Sequence, residues 1–206
     1  MKIKQHFNSY DGKQSSSRLD FVYCPKCSTK LVKKEIDAFL RNYCSKCQYI
    51  QYINPLPGVS VLIEKDRKLL IGKRSQDSVE SGKWCLPCGF VEHHESYLDA
   101  ARREVFEETG LKVKITSLVN VSSNQINPNL HTIVTVLTAE VINGTLKPGD
   151  DLVELNWLYK NATFRGMAFE ADKIIIKRYF ENALIRIPID PRFWLANQYE
   201  DKRHEK

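Results

Sequence analysis

Long hydrophobic runs are missing from this 206-residue chain. No apolar stretch approaches the ~18–20 residues that cross a bilayer, and the opening MKIKQHFNSYDGKQSSSRLD lacks the apolar core of a signal peptide. No membrane partner is expected, and a reducing cytoplasm is. An internal repeat and a low-complexity block are also absent, which excludes solenoids and fibrous arrays. Charge of one sign is scarce too: 31 basic against 25 acidic residues leave only +6. Lys2, Lys4, Lys13, Lys202, Arg203 and Lys206 fall in polar ends, read as a disordered tail over 1–20 and a C-terminal tail over 191–206. So small an excess fits an anionic ligand and does not call for nucleic acid.

Cysteine, by contrast, is present and patterned: six residues form three C-x2-C pairs. Cys24–Cys27 and Cys44–Cys47 are separated by sixteen residues, a zinc-ribbon spacing. Two such knuckles bring four thiolates around one Zn²⁺, and four thiolates leave no open position, so the metal is structural. The intervening STKLVKKEIDAFLRNY reads as a two-stranded hairpin too small to fold without it. Residues 21–54 are therefore expected to form a ribbon, with zinc preferred over disulfides in a reducing compartment. Lys26, Lys30, Lys33, Lys34 and Lys46 concentrate here, and a nucleic-acid-binding ribbon is one alternative function class. The third pair, Cys85 and Cys88, has no complementary pair and reads as buried cysteines on a strand rather than a redox or second metal site.

The segment Gly89–Leu111, GFVEHHESYLDAARREVFEETGL, holds the densest chemistry. Ser96 as N-cap, Asp99 three residues on and Gly110 as stop predict a helix over Tyr97–Thr109. At about 100° per residue Glu104, Glu107 and Glu108 share one edge, beside an apolar stripe of Leu98, Ala101 and Val105. Like charges three and four residues apart destabilise a helix. A bare EVFEE would read as a solvated acidic face. Mg²⁺ or Mn²⁺ would instead remove the conflict, since hard cations want clustered carboxylate oxygens.

The segment resembles the Nudix box, G-x5-E-x7-R-E-U-x-E-E-x-G-U, with Gly89, Glu95, Arg103, Glu104, Val105, Glu107, Glu108, Gly110 and Leu111 at its defined positions. GVSVLIEKDRKLLIGKR and GKWCLPCGF look like the strands that precede the box, so the resemblance spans about Asn54 to Tyr159. Cys88 stands where that family usually has glycine. The resemblance implies an α/β/α sandwich with a mixed sheet over 55–190, hydrolysing a nucleoside diphosphate linked to another moiety. Glu104, Glu107 and Glu108 are then the metal ligands, joined by the Gly89 carbonyl. Arg103, away from this trio on the helix wheel, pairs with Glu95 and fixes the loop against the helix. The general base is Glu107, Glu108, Asp150, Asp151 or Glu154, and Glu92 is a further acid within reach. Arg74 and Lys83 are candidates for phosphate. Phe169 and Trp157 are candidates for stacking on a base, with a core role the alternative for each.

Along the rest of the chain, Val59–Glu64 and Lys68–Arg74 read as a hairpin and Trp84–Val91 as one strand. Val113–Ser123 and His131–Val141 read as strands joined by a polar loop, followed by a strand at Leu152–Tyr159 and a closing helix over Met167–Leu184. Phe193-Trp194-Leu195 either packs on the domain, the preferred reading, or serves a homodimer. A ribbon joined to a Nudix domain by Tyr52-Ile53-Asn54-Pro55 resembles the branch containing NADH pyrophosphatases. Their SQPWPFPxS motif corresponds to SSNQINPNL, where only Ser122 and Pro128 agree. The later stretch PGDDLVELNWLYKNATFRGMAFEADKIIIKRYF resembles ribbon-bearing relatives that take ADP-ribose or FAD, and this resemblance implies ADP-ribose, FAD or a related ADP-containing nucleotide as the substrate, cleaved to AMP. NADH or NAD-capped RNA is the alternative. A nucleotide-sensing regulator is disfavoured because no box carboxylate is lost.

Overall fold

The computed structural model describes residues 20–127, 129–160 and 166–195. Residues 1–19 and 196–206 of the two expected tails, and Pro128, lie outside that set, whereas 191–195 are described and Pro191–Phe193 form a short 3-10 helix. Asp20 is the described part of the first tail, and its carboxylate pairs with Lys33.

The first unit is a three-stranded antiparallel sheet of β1 (Val32–Ile36), β2 (Phe39–Tyr43) and β3 (Ile50–Gln51). The expected hairpin is present, and β3 adds a third strand. The two cysteine knuckles repeat one geometry. Cys24 accepts from the Ser28 amide at 2.9 Å and Cys44 from the Gln48 amide at 2.9 Å. Ser28 and Gln48 both take a positive φ, 58° and 61°.

The second unit is an eight-stranded mixed sheet. Its elements are β4 (Leu56–Lys65), β5 (Lys68–Arg74), β6 (Trp84–Cys85), β7 (Cys88–Phe90), α1 (Tyr97–Thr109), β8 (Leu111–Asn127), β9 (Leu130–Gly144), β10 (Leu152–Leu158), α2 (Glu170–Phe180) and β11 (Ile187–Pro188). The main path runs β10-β5-β4-β9-β8-β11, with β6 beside β5 and β7 beside β4. Only the β4–β9 pairing is parallel. Alternation along the central strands feeds two cores. Val59, Val61 and Ile63 meet Leu98, Ala101 and Val105 of α1 on one face. Leu62, Leu69 and Val136 meet Ile175, Ile176 and Phe180 of α2 on the other. That is the expected α/β/α sandwich.

Three elements differ from the sequence reading. The Trp84–Val91 strand is broken at Leu86-Pro87 into β6 and β7, since proline cannot donate to a ladder. The expected polar loop 124–130 is instead a continuation of β8 and β9, whose pairing reaches Asn127↔Leu130. Cross-strand partners there outweigh low apolar content, because β propensity reflects context. The closing helix is shorter at both ends than Met167–Leu184. It starts after Phe169, and Met167 lies in a bridge to Trp84. Of the Phe193-Trp194-Leu195 cluster Trp194 packs, its indole donating to the Ile189 carbonyl at 2.7 Å and Lys114 lying 4.1 Å from its ring centre, whereas Phe193 and Leu195 are exposed. No described helix is long and apolar enough to cross a membrane.

Candidate active site

The helix α1 begins and ends where its sequence dictates. Ser96 accepts from the Asp99 amide, and Gly110 closes the helix at φ 71°. A side chain at Gly110 would also bring its Cβ to 2.4 Å from the Thr145 carbonyl. Fixed this way, the helix turns Glu104 and Glu108, one turn apart, toward β7. Glu104 lies flat against Gly89: a Cβ there would stand 2.1 Å from its carboxyl carbon. The first glycine of the box is thus required by contact and not by backbone conformation. Glu108 is 1 % exposed, and its Oε2 accepts from the Cys88 amide at 2.9 Å. Its other oxygen is buried with no partner.

Burial pushes the Glu108 carboxyl well above the usual carboxylate range, with the neighbouring Cys88 adding to it. Burial also raises Glu104, although Arg103 opposes the shift. Two adjacent buried acids that resist ionisation, one with an unpartnered oxygen, fit a divalent cation. Glu104 and Glu108 are the two buried carboxylates that the fold brings to this pocket.

Arg103 does more than the helix wheel suggests. Its Nε and Nη2 donate to Glu95 at 3.0 and 2.6 Å, and Nη2 also reaches the Phe90 carbonyl at 3.0 Å. Nη1 donates to Glu104 at 2.8 Å and Glu107 at 2.9 Å. Arg103 and Glu107 are four residues apart and so about 40° apart on the wheel, which puts this side chain beside the acidic trio and not away from it. Burial alone would raise Glu95, but the Arg103 bonds outweigh it and hold this carboxyl low. Glu107 is half-exposed and stays outside the pocket lining, tied to Arg103.

Glu104 and Glu108 line a cavity of about 440 Å³, a size that suits a small-molecule ligand. Glu92, Asp150, Asp151, Arg74 and Phe169 also line it. Arg74 is 7 % exposed and already committed: it pairs with Asp151 at 2.9 Å, lies 3.8 and 3.9 Å from the Cys85 and Cys88 sulfurs, and sits 5.6 Å from the Phe169 ring centre. Cys85 is buried and Cys88 half-buried, and neither is in a disulfide. Three candidates stand elsewhere. Glu154 points outward from β10 to pair with Lys73, Lys83 pairs with Glu80, and Trp157 packs on the α1-side core. For Glu154 the strand register decides: an irregularity between Leu152 and Glu154 breaks the alternation and sets this exposed position opposite Lys73.

Sequence reasoning missed Asp172 and Ser60, which line the same pocket. An acid in a helix's first turn reads as a dipole partner, and a serine in an apolar strand carries no signal at all.

In the first unit the four sulfurs of Cys24, Cys27, Cys44 and Cys47 lie within 4.8 Å of one another. Neighbouring pairs stand at 3.5, 3.5 and 3.6 Å. Tetrahedral Zn–S bonds of about 2.3 Å imply sulfur separations of about 3.8 Å, so the cluster could hold zinc.

A family model described as the NUDIX domain matches residues 54–179, more than half of the chain. The chain is 41 % identical over 129 residues to an ADP-ribose pyrophosphatase of Methanocaldococcus jannaschii, covering 62 % of this chain and 75 % of that protein. It is 33 % identical over 95 residues to an NAD-capped RNA hydrolase NudC of Mannheimia succiniciproducens, covering 45 % of this chain and 36 % of that one. An Escherichia coli NudC (strain HS) is 29 % identical over 136 residues, covering 66 % of this chain and 50 % of its own length. The chain thus spans half or less of these two NudC proteins. Among solved structures, a NUDIX hydrolase from Nitrosomonas europaea superposes with a TM-score of 0.70 at 28 % identity, covering 79 % of this chain and 92 % of that one. The box of acids in the sequence, the cavity they line and the length of the match agree: the protein belongs to the Nudix family.

Proposed function

We propose that the protein is a Mg²⁺- or Mn²⁺-dependent pyrophosphohydrolase that cleaves ADP-ribose, FAD or a related ADP-containing nucleotide to AMP and the other phosphate half. The observation that carries this is the buried Glu104–Glu108 pair lining the cavity, with one Glu108 oxygen unpartnered. Glu104, Glu108 and the Gly89 carbonyl, with Glu107 beside them, would hold a divalent ion, which would supply charge neutralisation at phosphate oxygens and a more acidic water. Arg103 orients Glu104 and clamps Glu95 and the loop. Of the acids beyond the box proposed to accept a proton, Asp150 is the better placed, because Arg74 holds Asp151 and Glu154 lies outside the pocket; Glu92, the acid expected near the metal, also lines it. Four cysteines of the ribbon hold a structural zinc.

The substrate class is supported by the M. jannaschii relative, an ADP-ribose pyrophosphatase matched over three quarters of its length. The NudC relatives support a second reading, removal of an NAD cap from RNA. One screen separates them: ADP-ribose, FAD, NADH and NAD-capped RNA with Mg²⁺ or Mn²⁺, and Glu108→Gln as control. We expect AMP from ADP-ribose or FAD. Activity confined to capped RNA would favour the second reading, and no hydrolysis of any substrate by the wild type would overturn both.

A further inference from the structure

The reaction just proposed uses the ribbon only to hold zinc and leaves its sheet unexplained. The register of β1 and β2 opposes Val32 to Tyr43, Lys34 to Arg41 and Ile36 to Phe39, and Ile50 of β3 pairs with Tyr43. Directly opposed residues point to the same side of an antiparallel pair, so these side chains share one face. Asn42 and Gln51, on the other face, are buried and hydrogen-bonded to the Phe21 main chain. The first face has no such cover: Phe39 is 62 % exposed, and Tyr52, just past β3, 52 %.

Two features of this open face call for a ligand. Lys34 and Arg41 stand directly across from one another, and like charges so placed destabilise a sheet. Lys33, on the other face, pairs with Asp20, but among the described residues neither Lys34 nor Arg41 has an acidic partner, and the Arg41 Nε is buried with no hydrogen bond. Each cation lies against rings instead: Lys34 is 4.3 Å from the Tyr43 centre, and Arg41 is 5.2 Å from that of Phe39 and 4.7 Å from that of Tyr52. The rung of two cations thus stands between a rung carrying Tyr43 and a rung carrying Phe39, at steps of about 7 Å along the strands. Ring, cation, ring matches the alternation of base and phosphate along a single strand. We propose that this face of the ribbon binds single-stranded nucleic acid: bases stack on Phe39, Tyr43 and Tyr52, and phosphate oxygens take the place of the missing carboxylates at Lys34 and Arg41. A duplex keeps its bases stacked on one another and engages only the cations. An acidic peptide satisfies the cations and leaves the exposed rings in water. The proposal goes beyond the hydrolytic reading and does not depend on it.

A short 5′-fluorescein oligouridylate carries no pyrophosphate, so its binding reads this face apart from hydrolysis. Its anisotropy is followed on titration with the full chain at several salt concentrations, without added Mg²⁺, for the wild type, Lys34→Gln and Phe39→Ala. Both substituted side chains are exposed, so neither change opens the core. We expect the wild type to bind at low salt, and more tightly than it binds a duplex of the same length. Lys34→Gln should weaken binding and flatten the log–log salt slope by about 0.7, the share of one phosphate contact on a single strand. Phe39→Ala should weaken binding about fivefold or more and leave the slope unchanged, since a ring releases no counterion. No binding by the wild type, a preference for the duplex, or wild-type affinity in both variants overturns the assignment. Self-association of the chain that Phe39→Ala abolishes, with no oligonucleotide bound, overturns it in favour of a second copy on this face. If the oligonucleotide binds with the stated pattern while no pyrophosphate is cleaved, the ribbon assignment stands and the catalytic one falls.

Discussion

Glu108 and Asp172 are both buried acids of one pocket, yet they differ in how they answer to substitution. Glu108→Gln keeps the acceptor for the Cys88 amide and removes the charge, so hydrolysis should fall by about 10²–10³-fold or more in kcat with an unchanged circular dichroism spectrum. Loss of folding in place of loss of turnover would contradict the role given to Glu108. Asp172 makes a prediction about pH. Burial, opposed by the Leu86 amide and by Arg74, raises its pKa from 3.8 to about 7. The folded chain therefore holds a proton that the unfolded chain has already lost between about pH 4 and 7, so stability falls as pH rises through that window. Asp172→Asn is free of this penalty. Its stability relative to the wild type should be greater at pH 8 than at pH 5 by about 1–3 kcal/mol, measured by urea unfolding. A difference independent of pH would refute the shifted titration. The box residues were legible in the sequence because their spacing is helical and local. Asp172 was not, because it meets Leu86 from 86 residues away.

Among the elements, α1 was readable to the residue, since its capping serine and terminal glycine are adjacent in sequence to what they cap. The glycine also yields a test. Gly110→Ala must hold a positive φ and push against the Thr145 carbonyl, so thermal unfolding should show a loss of about 1–2 kcal/mol. A neutral result would mean the helix end repacks. Gly89→Ala acts differently: its methyl displaces a side chain and not the backbone. It should lower kcat at least about tenfold through Glu104 while costing less than about 2 kcal/mol of stability. The β8–β9 hairpin was underestimated because its far end carries few apolar residues and is held by pairing with its neighbour. Strand pairing is a long-range property that a window of sequence does not contain.

For the whole molecule, the sandwich was legible from the match to a known pattern together with alternation in the strands. The three-stranded sheet and the eight-stranded sheet share no strand. We therefore expect a strong chelator to release about one zinc per chain and to unfold the ribbon, leaving the helical signal and the main melting transition of the larger unit in place. Coincident loss of both would mean that the units fold as one. What sequence could not supply was the assembly of the pocket, which draws on α1, α2, β4, β5, β7, β8, β9 and three loops, from Gly58 to Asp172.

The interruption of the sheet at Leu86-Pro87 joins these scales. A continuous strand would direct its amides to a neighbouring strand. Here the Leu86 amide serves a carboxylate of α2, and the Cys88 amide serves a carboxylate of α1. Helices on opposite faces are thereby tethered to one short stretch of main chain. The two carboxylates are thus anchored two residues apart on the same main chain, so a displacement of that stretch would move the anchor of both.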